Sequence, residues 1–501
     1  MDEYFPNPII KELLEKYQTI WALGYYMSLG GWDQEVSMPI NGAEARGVAG
    51  AKLTSLAQSL FLAPEFIELI RKAQDIATTD YEKGVVRIFS KQLTDYQKLP
   101  SEFLERFSKI TAESPLAWRK AREENNFKLF APYLEKIVDL NIEHANYIGY
   151  KDHPYDALLN NYEIGWSTED IEDFYLDIKG FLTNLLSYIK KSSAYHVTNK
   201  LATEEYSTKK LRELNYKILN YFSYDPNVLR LDVSTHPFSQ GLANGDTRIT
   251  TRYSGHGIAD GISSTIHEFG HALYSISGAK PIEYTPVWGG SSLGIHESQS
   301  RFWENMVGRN KNFLEQFKPE FTRLGLNYEN YLVEDYYRYF NNVKPSLIRV
   351  EADEITYHFH TMIRFEIEKA LITKAIKVKD VEELWNSKYK DYLGLTPPNS
   401  STGVLQDVHW SLGSIGYFPT YSTGTVLSAT WKHYLELDLG NISNLVISKE
   451  GINKIKDWLK THIHQYGGTY TFKDLVQKVT GAKFTTKYWQ DYLEEKYKAI
   501  Y

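Results

Sequence analysis

The sequence contains no cysteine among its 501 residues. Disulfide bonds and thiolate ligands are therefore excluded, and any bound metal must be held by histidine and carboxylate side chains. Long apolar runs are also absent, since no stretch approaches the roughly 20 apolar residues that span a bilayer. Basic charge is not in excess either. The net charge is −7, so the protein has no overall positive field to attract nucleic acid or anionic lipid.

The N-terminus lacks both the basic and the apolar segment of a secretory signal. We therefore expect a cytoplasmic protein that binds neither membranes nor nucleic acid. A hydrophobic content of 42% is ordinary for a soluble globular protein, and the length permits a large buried core. The pattern of apolar residues is helical along most of the chain, which predicts a mainly α fold.

The most informative stretch, residues 262–276, contains HEFGH, an instance of the HExxH pattern. Its apolar residues recur in steps of four and three, which predicts a helix with one buried stripe. They are Ile262, Ile266, Phe269, Leu273 and Ile276. His267 and His271 lie off this stripe, about 6 Å apart along the axis on a common face. Two such imidazoles can bind one tetrahedral ion, with Glu268 beside them to take a proton from water.

A hydrolytic zinc site needs a third protein ligand and one open position. The metzincin pattern does not fit, because it requires Gly and His where this sequence has Tyr274 and Ser277. The chain that follows offers four other candidates. They are Glu283, His296, Glu297 and Glu304. We favour Glu297, although the spacing alone leaves the other three open.

HEFGH followed by His296-Glu297-Ser298-Gln299-Ser300 resembles the carboxypeptidase Taq family of zinc metallopeptidases. Four more motifs of that family occur in the family's order. They are HPF at 236–238, DTRIT at 246–250, IRVEAD at 348–353 and GVLQDVHW at 403–410. One departure is Ser275, where the family often has an acidic residue. It affects the surroundings of the site more than its ligands.

The resemblance implies a helical, saddle- or groove-shaped metallopeptidase that forms a homodimer and releases C-terminal amino acids with broad specificity. Zinc would be the metal, and cobalt often replaces zinc in such sites. The ion, held by His267, His271 and Glu297, would lower the pKa of a water molecule and polarise the scissile carbonyl. Glu268 would act as general base.

Further site residues follow from the family motifs. His409, Tyr417 and Tyr421 are candidates to stabilise the oxyanion, although ordinary packing explains each of them equally well. Arg349 is our first candidate for the substrate carboxylate, and Arg248 is the second. Two further candidates for substrate contacts are His236 and Gln406. For His236 a packed histidine at a strand end is the competing interpretation.

A β pattern is confined mostly to residues 231–253, immediately before the HExxH helix. Two alternating segments, 231–235 and 247–253, flank the turn former Asn244-Gly245-Asp246 and predict a small sheet. Its edge could bind an extended substrate, or the hairpin could only cap the core. Elsewhere we expect Gly30-Gly31 to break the first helix, with an irregular link to Met38. A later long helix is expected to include Arg349, Asp353 and Arg364.

We expect a single domain over 1–501, with a helical N-terminal part to about 225, a catalytic core to about 425 and a helical C-terminal part. Two alternative functions stay open. A helical zinc endo-oligopeptidase would cut internally, and a non-catalytic helical scaffold would carry a structural zinc. Only the family resemblance favours a carboxypeptidase over the endopeptidase.

Overall fold

Helices dominate the computed structural model, which describes residues 2–325 and 327–501. Before the sheet, the helices are α1 (Pro8–Val36), α2 (Ala43–Phe61), α3 (Pro64–Gln74), α4 (Asp80–Lys98), α5 (Ser101–Glu123), α6 (Phe127–Ile148), α7 (Pro154–Leu159), α8 (Thr168–Lys191) and α9 (Thr208–Tyr221). After it come α10 (Ala259–Ile276), α11 (Leu293–Arg301), α12 (Lys311–Phe321), α13 (Val333–Phe340), α14 (Tyr357–Ile372), α15 (Val381–Leu393), α16 (Pro419–Leu439), α17 (Ile442–Leu445), α18 (Lys449–His462), α19 (Phe472–Thr480) and α20 (Lys487–Ile500). The predicted mainly α class is confirmed.

The small sheet lies against α10 and differs from the predicted hairpin. It has three strands, β1 (Leu229–Val233), β2 (Ser239–Ala243) and β3 (Asp246–Thr251), in the order β1-β3-β2. β1 pairs with β3 in parallel. The antiparallel partner of β3 is β2, and the turn at 244–245 joins these two strands. The prediction missed β2 because its residues do not alternate between buried and exposed. Packing explains this strand, since a Cβ on Gly241 would lie 2.8 Å from the Ser275 hydroxyl on α10.

The expected break at Gly30-Gly31 is wrong, because α1 continues to Val36. Glycine costs roughly 1 kcal/mol relative to alanine inside a helix. Contacts from elsewhere offset that cost here. Trp32 is 5% exposed, and Arg46 of α2 donates to the Gly30 carbonyl and pairs with Asp33 at 2.6 Å.

The predicted long helix around Arg349 is also wrong at its start. Arg349 lies in a single 3₁₀ turn, Arg349–Glu351, and α14 begins only at Tyr357. Asp353 precedes α14, and its carboxylate accepts hydrogen bonds from the backbone N–H groups of Ile355 and Thr356 at 3.0 and 2.9 Å. These bonds form a turn immediately before α14, and the apolar spacing alone could not locate it.

The backbone divides into two compact units, each built from three segments. Unit 1 comprises Met1–Leu93, Asn199–Phe340 and Ser428–Phe484; unit 2 comprises Thr94–Thr198, Asn341–Leu427 and Thr485–Tyr501. The single domain with three consecutive parts stays a prediction. Within the described ranges no single helix has both the length and the hydropathy of a membrane span. A pair of helical segments bent by 54°, Ile40–Phe61 and Pro64–Gln74, meets both criteria when taken together.

Candidate active site

Helix α10 presents the HExxH side chains because its opposite face is buried. Ile262, Ile266, Phe269 and Leu273 are each at most 4% exposed. The ring of Phe269 packs against Trp303 with centroids 5.1 Å apart. The side chains of His267 and His271 keep 17% and 18% exposure on the other face. The predicted helix is confirmed, and so is its buried stripe except at Ile276, which is partly exposed.

Glu297 on α11 completes a three-residue cluster with the two histidines. Its Oε2 lies 3.7 Å from Nε2 of His267 and 3.7 Å from Nε2 of His271. A tetrahedral zinc with bonds of about 2.0–2.1 Å separates its ligand atoms by about 3.4 Å. The cluster therefore fits such an ion. It is the one group of three or more potential ligands found in residues 2–325 and 327–501.

The approach of α10 to α11 depends on Gly270 inside the HEFGH motif. A Cβ at this position would lie 2.6 Å from the carbonyl oxygen of Gln299 and 2.6 Å from Cα of Ser300. No real Cβ tolerates such contacts with backbone atoms, so any larger residue would push the helices apart. The glycine therefore lets the two backbones touch and keeps Glu297 close to the histidines.

Of the other three ligand candidates, two are bonded elsewhere and the third contacts the cluster from its far side. His296 Nε2 lies 2.5 Å from the Gly289 carbonyl oxygen. Glu283 accepts a hydrogen bond from the backbone N–H of Asn244 at 3.0 Å and pairs with Lys280. Glu304 contacts the cluster from behind, since its Oε2 lies 2.9 Å from His267 Nδ1, the ring nitrogen that faces away from Glu297.

Glu304 lies in a turn of π-helix, Phe302–Gly308, that directly follows α11. Arg301 donates to both carboxylates, to Glu297 at 2.6 Å and to Glu304 at 3.1 Å, and Arg309 also donates to Glu304. Burial opposes ionisation of Glu304, but Arg309 and Arg301 outweigh it and hold its pKa well below the ordinary value. The ionised carboxylate therefore accepts the Nδ1 proton of His267 and leaves Nε2 free for a ligand bond.

We expect the Glu304→Gln variant to bind zinc or cobalt about 10–100-fold more weakly, because groups that orient metal-binding histidines typically have this effect. Competition with a chelator measures the affinity directly. Glu283→Gln is the matched control, since Glu283 is equally buried but is bonded to Asn244 and Lys280. Equal metal affinity in Glu304→Gln and the native protein would contradict the role of Glu304.

The ionisation of the remaining groups suits metal binding and base catalysis. Burial lowers the pKa of His271 well below its usual value, so its imidazole is in the neutral form that binds metals. Glu268 is 6% exposed, and burial raises its pKa to about 7. A carboxylate with a pKa near neutrality is suited to accept and return a proton.

Arg349, Arg364 and Asp407 form a buried charge cluster in unit 2. Arg349 donates through Nε and Nη2 to Asp407 at 3.1 and 2.8 Å, and Arg364 Nη2 contacts the other oxygen at 2.6 Å. Arg349 Nη1 also donates to the Tyr357 hydroxyl at 2.7 Å. Gln406 supports this cluster, because its side-chain oxygen accepts from the Arg349 backbone N–H at 2.9 Å. Arg349 and Gln406, two of the candidates for substrate contacts, are therefore neighbours in the structure.

The predicted oxyanion residues adjoin that charge cluster. His409 Nε2 lies 3.2 Å from the Tyr421 hydroxyl, and the rings of His409 and Tyr417 are 5.0 Å apart. The guanidinium carbon of Arg349 lies 4.8 Å from the centre of the Tyr421 ring. Burial lowers the pKa of His409 to about 4. His409 is therefore neutral at pH 7.

Arg248 and His236, the two other candidates for substrate contacts, lie in unit 1. Arg248 on β3 is engaged by Asp246 through two hydrogen bonds of 2.9 and 3.0 Å, and it lies 4.7 Å from the Trp32 ring. His236 is exposed. Trp32 is buried beside this arginine, and the side chain of Arg349, at 5% exposure, is more buried than that of Arg248, at 19%.

Sequence reasoning missed several residues that support the site. Arg301 could have been recognised, because it follows Glu297 by four residues in the same helix and such pairs are neighbours. Asp407 lies inside a motif that was noted, but its two partners are 43 and 58 residues away in sequence. No local pattern reports contacts of that kind.

Comparisons with known proteins match nearly the whole chain to one family. The sequence model described as Carboxypeptidase Taq (M32) metallopeptidase matches residues 12–497. Thermostable carboxypeptidase 1 of Pyrococcus furiosus is 41% identical over 99% of this chain and 100% of its own length. Carboxypeptidase 1 of Bacillus subtilis is 34% identical over 98% of each chain.

Solved structures give the same result. A Pyrococcus furiosus carboxypeptidase superposes with a TM-score of 0.96 at 41% identity, covering 98% of this chain and 99% of the other. The M32 carboxypeptidase of Deinococcus radiodurans does so with a TM-score of 0.93 at 30% identity, covering 99% of each. The family predicted from the motifs is confirmed.

Proposed function

The chain belongs to the carboxypeptidase Taq (M32) metallopeptidase family and is a metallocarboxypeptidase, and we propose that it uses zinc bound by His267, His271 and Glu297. The observation that carries this proposal is the equal 3.7 Å distance from Glu297 Oε2 to both imidazole Nε2 atoms. Two imidazoles and one carboxylate suit zinc and cobalt, whereas magnesium prefers oxygen ligands throughout.

When bound, such an ion polarises the scissile carbonyl and lowers the pKa of water. Glu268, adjacent to His267, takes the proton of the attacking water and returns it to the leaving amine. Its pKa near 7 suits both transfers. Glu304 orients His267 throughout, and Arg301 ties the Glu297 and Glu304 carboxylates together.

We further propose that His409, Tyr417 and Tyr421 stabilise the developing oxyanion, with His409 and Tyr417 as donors and Tyr421 acting through His409. In this arrangement the Tyr421 hydroxyl donates to His409 Nε2, so that Nδ1 carries the ring proton. That buried Nδ1 atom has no hydrogen-bond partner among the described residues, so its donor is unused within this part of the protein. Arg349 is proposed to bind the substrate carboxylate, with Asp407 orienting its guanidinium.

Release of C-terminal residues is tested with one pair of substrates. An N-blocked dipeptide with a free C-terminus should be hydrolysed, whereas the C-terminally amidated form should react at least about 100-fold more slowly, because it lacks the anion that a guanidinium binds. Replacing Arg349 by Lys should raise KM for the free form. Equal hydrolysis of the two dipeptides would contradict an exopeptidase mechanism.

We also propose that the protein uses zinc, with cobalt as a working substitute, that it assembles into a homodimer, and that it lies in the cytoplasm. The donor set supports the first of these proposals. The substrates are peptides with a free C-terminus, as expected of a carboxypeptidase family.

A further inference from the structure

Glu368 is a fully buried carboxylate that no step of the proposed mechanism uses. It lies on α14 and is 0% exposed. Its Oε2 accepts hydrogen bonds from the Tyr155 hydroxyl at 2.6 Å and from the Gly416 backbone N–H at 3.0 Å. Its Oε1 accepts one from Trp410 Nε1 at 2.7 Å. All four residues belong to unit 2.

Two of the three donors are sequence neighbours of proposed oxyanion residues. Trp410 directly follows His409, and Gly416 directly precedes Tyr417. One carboxylate therefore fastens both ends of the segment 409–417. The same helix also holds Asp407, two residues before this segment, because Arg364 contacts it from one turn earlier on α14. Helix α14 thus holds both ends of the segment and the chain just before it.

Burial of this carboxyl group is unfavourable for stability alone. Burial raises the pKa of Glu368 to about 7, and the three donors only partly offset the loss of solvation. An apolar side chain of similar volume would avoid that cost but would leave the three buried donors without an acceptor. The carboxylate is therefore the common acceptor that fixes the positions of its donors relative to one another.

We propose that Glu368 is a positioning residue that holds His409 and Tyr417 in their catalytic geometry. The inference rests on the function proposed above for these two residues. Glu368 does not touch substrate in this scheme. It acts only through the segment 409–417, and its effect should therefore appear in the step that His409 and Tyr417 assist.

The Glu368→Gln variant tests this because glutamine has one acceptor oxygen. In either amide orientation, its NH₂ group faces one of the segment's two donors, Trp410 Nε1–H or Gly416 N–H. We expect kcat to fall about 10-fold, since displacements of about 1 Å cost up to 100-fold. KM and the zinc content should stay within about 2-fold of the native values. Neither the proposed metal ligands nor Arg349, the proposed ligand of the substrate carboxylate, lies in the segment 409–417.

Two companion variants separate positioning from a general loss of stability. Trp410→Phe removes one segment donor and keeps the carboxylate, so kcat should fall in the same direction. Tyr155→Phe is the matched control. It removes a donor to the same carboxylate, but Tyr155 lies on α7 outside the segment. Its kcat should therefore stay close to the native value, and if Glu368→Gln does not fold, Trp410→Phe carries the comparison.

A mutant cycle with the combined His409→Ala/Tyr417→Phe background decides the outcome. The proposal predicts that Glu368→Gln lowers kcat in the native background and has little further effect when the His409 ring and the Tyr417 hydroxyl are both absent. Native kcat in Glu368→Gln, or an equal loss in both backgrounds, would overturn the role of Glu368 and leave the proposed function intact. Native kcat in the combined His409→Ala/Tyr417→Phe variant would instead refute the roles of His409 and Tyr417, and the positioning proposal with them.

Discussion

Replacing Glu268 by Gln is expected to lower kcat by about 10²–10⁴-fold, the usual contribution of a general base. Glutamine keeps the size of the side chain but cannot accept the proton of the attacking water. Because Glu268 is not one of the three clustered ligands, the variant should retain its metal. Hydrolysis of an N-blocked dipeptide and metal content by atomic emission, measured on the same sample, check both expectations.

Glu283→Gln serves as the control for this variant. Glu283 is as buried as Glu268 but binds Asn244 and Lys280. It should therefore keep native kcat and metal content. Native turnover in Glu268→Gln would remove the proposed base, whereas loss of metal from that variant would show that Glu268 belongs to the ligand set.

The largest effect on stability is expected from Asp407→Asn. Asp407 is the shared anion of Arg349 and Arg364, whose side chains are 5% and 0% exposed. Removing its charge leaves two buried guanidinium groups without their counter-ion, which typically costs about 3–5 kcal/mol in unfolding free energy. The midpoint of denaturant unfolding should shift accordingly, and KM should rise because Asp407 orients Arg349.

The pH dependence of this effect follows from the pKa of Asp407. Burial opposes its ionisation, but Arg349 and Arg364 hold the pKa far below its ordinary value. A depressed carboxyl pKa contributes stability that is complete above the unfolded value, about 3.9, and is lost as the pH falls toward the folded value. The difference between native protein and Asp407→Asn should therefore be constant from about pH 5 to 8.

Asp33→Asn provides the matched control for Asp407→Asn. Asp33 also pairs with an arginine, Arg46, at 2.6 Å, but the two side chains are 37% and 33% exposed. Exposed ion pairs contribute about 0–1 kcal/mol, so its midpoint should change little. Equal shifts in Asp33→Asn and Asp407→Asn would contradict the account of the buried charge cluster.

Local periodicity predicted the parts of the site that lie on one helix. His267, Glu268 and His271 share α10, so a stripe and a spacing were sufficient to place them. Glu297 required the family motif, because four residues satisfied the loose spacing of a third ligand. The structure distinguishes Glu297 from the other three candidates, because the contact of α10 with α11 at Gly270 keeps Glu297 close to the histidines. That contact depends on tertiary packing.

Features that depend on distant contacts were not predictable in the same way. β2 has no alternating pattern and is explained by its pairing with β3 and its packing against Ser275. The continuation of α1 beyond Gly31 depends on a buried tryptophan and on Arg46. Glu368 was missed for the same reason, because two of its donors are 42 and 48 residues away along the chain.

Anomalous diffraction at the zinc edge, from crystals of the zinc-loaded protein, measures the metal position most directly. We expect a single strong peak about 2.0–2.2 Å from Nε2 of His267, Nε2 of His271 and Oε2 of Glu297. Glu304 should lie beyond bonding distance from that peak, in contact with His267 Nδ1. A peak at His296 or Glu304 in place of Glu297, or no peak between the two imidazoles, would contradict the proposed site.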